Sequence, residues 1–209
     1  MTDTFLNIAS SIGEVVETSL TGYTAQAYEL DNPPPFGGLV QVKDKGGNNL
    51  IYGAVYHIAT GGIDPGRRAY ARSVEGEPRQ IDEQVYSANP QLTRLLRTEF
   101  AVVVLGCRKL ESGKITYTYP DYPPPLHYSV ALCNDDELID FTATPLYLRT
   151  LLQASQAPVE ELTAALLRHG SAVRGSSGRQ WLVDTGRQLA RLLKEDFDRL
   201  RTILEKCEN

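Results

Sequence analysis

Apolar and polar positions alternate in short runs up to about residue 144, and a helical spacing takes over after Pro145. Thr24, Gln26 and Tyr28 alternate with Ala25, Ala27 and Glu29, the pattern of a half-buried strand. Residues 100–106 form a continuous apolar run that predicts a buried strand, 115–119 alternate like an edge strand, and 129–133 predict another strand. Prolines at 33–35 and 123–125 donate no backbone hydrogen bonds, so both stretches are expected in loops or at edges. Residues 45–49, rich in Gly and Asn, predict a hairpin turn.

Beyond Pro145, Leu146, Leu148, Leu151 and Leu152 fit one helix, and Pro158 opens a second with Glu160 and Glu161 in its first turn, where the helix dipole favours them. Residues 168–179, rich in Gly, Ser and Arg, read as a flexible connector. Ser176 or Ser177 is then placed to cap one long last helix running to about Cys207. Its apolar stripe is Leu182, Leu189, Leu193, Phe197, Leu200, Leu204 and Cys207. Between the strand-like halves, residues 59–91 are the least regular stretch and are expected to be a functional excursion or insertion, with Asn89 capping a short helix through Arg97.

The runs at 12–18, 23–28, 35–42 and 50–55, with glycines at or between them, resemble the HAS barrel, the small β-barrel of HerA-type DNA-translocating ATPases and of the catalytic subunits of rotary ATP synthases. The order of strand, turn, strand, proline stretch, apolar strand and acidic turn (Asp135, Asp136, Glu137) extends the resemblance over about residues 8–140. It implies a closed barrel that builds a ring crown and docks partners without chemistry of its own. In that family an ATPase core follows the barrel. The nearest string to a phosphate-binding loop here, residues 106–115, has six residues between its glycines and Ile115 where the hydroxyl belongs, so it reads as a hairpin turn.

Composition narrows the function further. The net charge is −5, which argues against a general nucleic-acid coat. Residues 1–144 hold 11 basic and 18 acidic side chains, a balance of −7, whereas 145–209 hold 10 and 8, a balance of +2. Cys107, Cys133 and Cys207 are too irregular for a disulfide framework or a zinc site and point to a reducing, cytoplasmic setting. His57, His127 and His169 lie far apart, with no metal-ligand spacing. No run approaches the ~20 apolar residues of a membrane span. No cofactor and no catalytic constellation are implied.

The expected fold is therefore α+β: a small closed antiparallel β-barrel over 1–145, able to fold alone, then a helical region over 146–209. Two arginine groups are the candidate anion or nucleic-acid contacts: Arg67, Arg68 and Arg72 around Tyr70, and Arg174 with Arg179. The stripe Leu182, Leu189, Leu193, Phe197, Leu200 and Leu204 is the candidate partner-binding helix face. The function expected first is a non-catalytic adaptor for a protein partner, with a ring ATPase implied by the resemblance and self-association open. The alternative is an accessory factor in nucleic-acid processing.

Overall fold

The computed structural model describes residues 11–64, 66, 69, 71 and 81–207. Strands β1 (Ser11–Thr18), β2 (Gly22–Ala27), β3 (Leu39–Lys43), β4 (Asn49–Gly62), β5 (Leu96–Lys109), β6 (Ile115–Thr116) and β7 (Ser129–Leu132) form one sheet. Its order is β2-β1-β7-β3-β4-β5, and β5 returns to pair with β2. Six antiparallel strands thus close a barrel with no free edge in the ring. The short β6 continues along β5 where β2 stops.

Strand alternation fills the lumen. Val15, Tyr23, Ala25, Val40, Val42, Ile51, Val55, Phe100, Val102, Val104 and Val130 form the inner core. The intervening residues of β3, β4 and β5 point outward, yet Leu39, Leu50, Tyr52, Ala54, Val103 and Leu105 are buried too. Their cover is a helical layer, which is why these strands are apolar on both faces. After α1 (Glu83–Ala88) and α2 (Leu92–Leu95) in the excursion, the layer comprises α3 (Asp135–Phe141), α4 (Tyr147–Leu152), α5 (Val159–Ala172), α6 (Gly178–Leu192) and α7 (Phe197–Cys207). Phe141, Tyr147, Leu148, Leu151, Leu162 and Leu166 are fully buried in the same cluster as the outward barrel residues.

Several local expectations change. Residues 135–137 are not a turn but the first turn of α3, started by a capping box between Asn134 and Glu137. The edge strand expected over 115–119 pairs only at Ile115 and Thr116. Residues 59–62 are not irregular: they continue β4 against 96–99 of β5, so the barrel's longest hairpin carries the excursion at its tip. Asn89 ends α1 instead of starting a helix, its side chain donating to Val85 O, and α2 stops at Leu95 because the next residues join the ladder.

The connector expected at 168–179 is ordered helix and turn: α5 runs to Ala172, a 3-10 turn spans Gly175–Ser177, and α6 begins at Gly178. Ser177 makes no side-chain cap there. The single long helix is two. Asp196 Oδ1 accepts from the Arg199 backbone N–H at 3.1 Å and caps a new helix, α7, after a polar break at 194–196. A bend at this point lets Leu189, Leu193, Leu200 and Ile203 all reach one core.

Candidate functional site

The two arginine groups have different fates. Arg67, Arg68, Tyr70 and Arg72 lie outside the described residues. Arg174 is a structural clamp: its Nη1 donates to Gly170 O at 2.7 Å, and its Nη2 donates to Ile139 O and Thr142 Oγ1, each at 2.9 Å. The guanidinium stacks on Trp181 at 4.2 Å from the ring centre, and burial pulls its pKa below the usual guanidinium value. Three of its N–H donations thus go to protein acceptors, which gives Arg174 a structural role in joining α5 to α3. Arg179 is exposed at the start of α6, and Arg168, close by in sequence, ties α5 to Lys206 O.

The apolar stripe is also largely spent. Leu189, Leu193 and Leu200 are buried and Leu182 is partly buried against the shared core. Phe197, 72% exposed, and Leu204 remain outside. Four of the six stripe residues therefore pack inward to differing degrees, while Phe197 and Leu204 keep an exposed surface on α7. Ile203, fully buried beside it, and Trp181, the platform for Arg174, were missed by the stripe.

Among the described residues, two parts of the barrel surface stand out as exposed. The first is the wall of β1 and β2, opposite the helical layer in the ring. Val15 N–H donates to Tyr128 O at 3.0 Å and His127 N–H donates to Val15 O at 2.9 Å, so the second proline loop extends the β1–β7 ladder. This leaves Val16, Tyr28, Leu126 and Tyr128 exposed, with Tyr28 at 54%. The Tyr28 hydroxyl lies 3.4 Å from Ser129 Oγ, and His127 Nδ1 lies 2.6 Å from Glu14 Oε1. Exposed aromatic and aliphatic side chains thus lie along β1 and the segments paired with it, on the strand that also carries Glu14 and Glu17.

The second is the barrel mouth. The alternation that turns Val42, Ile51 and Cys107 inward carries Asp44, Asn49 and Lys109 to the rim. A cleft of about 660 Å³ opens there, walled by the 44–49 hairpin and by Thr118, Tyr119, Pro120, Asp121 and Tyr122. Residues 106–115 are, as expected, a hairpin, with Gly113 N–H donating to Lys109 O at 2.8 Å.

Compared with known proteins, the sequence matches no protein-family model and no curated protein. Among the described residues no group of three or more His, Cys, Asp or Glu could hold a metal ion, and no helix is long and apolar enough to cross a membrane.

Burial sets the chemistry of the thiols and phenols. It pushes the Cys107 thiol up to about 12, helped by Asp44 and Asp121, and holds Cys133 well above the usual thiol value. Both are protonated at neutral pH and make poor nucleophiles. Tyr23, Tyr52 and Tyr147 are likewise raised, chiefly by desolvation. The unfolded chain releases these protons near the ordinary thiol value of 9.0 and phenol value of 10.0, whereas the folded chain keeps them. Stability from this source is full below pH 9 and is lost as pH climbs towards 12. Thermal melts should therefore shift down steadily above pH 9, with the buried tyrosinates appearing in ultraviolet absorbance only as the chain unfolds. Full tyrosine ionisation in a still-folded protein would refute the assignment.

Proposed function

We propose that this chain is a non-catalytic docking module that engages a protein partner through the open β1–β2 wall of its barrel. The observation that carries the reading is the division of the barrel surface: β3, β4 and β5 are sealed by the helical layer, while Val16, Tyr28, Leu126 and Tyr128 stay exposed on the other side. Aromatic residues at the centre of a patch supply much of the affinity of protein interfaces, and a charged rim orients the partner. Glu17, with Glu14 bonded to His127 beside it, gives that rim its acidic character, so a basic matching surface is the expected complement. The resemblance to the HAS barrel makes a ring ATPase the partner to look for first.

The experiment compares the tagged full chain with a Tyr28→Ala/Tyr128→Ala double variant in affinity purification from native cells. One protein is expected in near-equal amount with the parent chain, and its recovery should fall by about tenfold or more with the variant. Ring-ATPase subunits would make the chain an adaptor or assembly factor for a motor. Nucleases or helicases would place it in DNA processing. Equal recovery with both chains, or the chain alone in both, overturns the docking wall.

A further inference from the structure

We infer that the barrel mouth is a binding site for a nucleotide, with its base on the tyrosine wall and its phosphate on Lys45 and Lys109. This site lies on a different part of the barrel from the docking wall and stands independently of it. Small-ligand sites are typically clefts of about 300–1,000 Å³ with an apolar floor and a few polar groups, and barrel mouths are a common place for them. The cleft here, about 660 Å³, has Ile51 and Cys107 as its floor.

The cleft lining combines two kinds of chemistry. Tyr119 is 45% exposed and Tyr122 is 77% exposed, so flat aromatic faces are left to solvent. Exposed tyrosines of this kind stack on bases with little regard to base identity. Lys45 and Lys109 form no ion pair with any described residue. Asp44, the neighbour of Lys45 in sequence, is held by the hairpin. Its Oδ1 accepts from the backbone N–H groups of Asn48 at 2.9 Å and Asn49 at 3.2 Å, and its Oδ2 accepts from Asn49 Nδ2 at 2.6 Å. Asp121 is the remaining carboxylate of the lining, and with Thr116 and Thr118 it supplies acceptors suited to sugar hydroxyls. Two ammonium groups with no ion pair among the described residues line the same cleft as exposed aromatic rings, and together they call for a ligand that is planar at one end and anionic at the other. A nucleotide has both ends joined by a polyhydroxyl linker.

Calorimetric titration of the full chain tests this with four probes: AMP, adenosine, ribose 5-phosphate, and a short 5′-phosphorylated oligothymidylate. AMP should bind, and adenosine and ribose 5-phosphate should each bind at least about tenfold more weakly, because each lacks one half of the recognition. Tyr122→Ala and the Lys45→Gln/Lys109→Gln double variant should each weaken AMP by roughly tenfold or more while leaving the melting temperature within a few degrees of the parent's. Tighter binding of the oligomer than of AMP, with a steep salt dependence, would identify the strand terminus as the source of the nucleotide at the same site. No binding of AMP or of the oligomer at millimolar concentration, or binding that both variants leave intact, overturns the assignment.

Discussion

A fragment of residues 1–145 will fail to melt cooperatively. The sequence divides cleanly at Pro145, but the structure does not. Removing residues 146–209 takes α4 to α7 away from Leu39, Leu50, Tyr52, Val103, Leu105 and Phe141, all buried in the core that barrel and helices share. Each fully buried large side chain contributes about 1.5–3 kcal/mol. Several of these equal the whole stability of a typical domain, about 5–15 kcal/mol. The exposed patch would also be large enough to drive association. Urea unfolding monitored by circular dichroism decides the matter: one steep transition for the full chain, and for the fragment either a broad slope or a dye-binding, aggregated state. A fragment that unfolds in a single steep transition near the parent midpoint would show that the barrel is self-sufficient after all.

Replacing Gly37 with alanine will lower the melting temperature far more than the same change at Gly47. Both glycines have positive φ, +76° and +68° respectively, so each alanine carries the cost of the left-handed region, about 1–2 kcal/mol. Only Gly37 also faces a neighbour. A Cβ there would sit 2.5 Å from the Ala165 Cβ and 3.0 Å from the backbone of α5, while nothing lies within 4 Å at Gly47. Gly37 N–H is held by Val55 O at 2.8 Å, so the loop cannot swing away, and the helix must lift from the sheet. Such overpacking adds about 1–3 kcal/mol. For a chain of this size each kcal/mol moves the midpoint by about 2–4 °C. Differential scanning calorimetry should give a drop of roughly 5–15 °C for Gly37→Ala and a few degrees for Gly47→Ala. Equal drops would mean that Gly37 does not seat the helix.

The barrel was legible because its signal is local. Alternation at 23–28 and the apolar run at 100–106 are visible in a few residues, and closure stems from the need to hide edges. Helices after Pro145 were legible for the same reason. The features that escaped depend on partners distant in sequence. Arg174 reads as a free cation until Ile139 and Thr142 are brought beside it, and the stripe after Leu182 reads as one helix because its spacing runs unbroken across Asp196. The connector looked flexible by composition, yet its ordering comes from that same arginine and from Trp181. Neither open region could be read in advance. Lys45, Lys109 and Tyr122 share a mouth only once the ring closes, and Val16, Tyr28 and Tyr128 share a wall only because β7 pairs with β1.

That pairing has a consequence for how the molecule is made. β7 sits between β1 and β3, joining Ala131 to Ser11 and to Gln41. On the ribosome the first hairpins emerge early, but the place between them stays vacant until Leu132 is clear of the exit tunnel. Once β5 has joined the two hairpins, and until β7 follows, the nascent chain is an open strip with two unpaired borders, a form prone to stick to other chains. The four residues of β7 turn that strip into a ring. A chain released just before them would keep two open sheet borders, and a chain released with them would still await its helices.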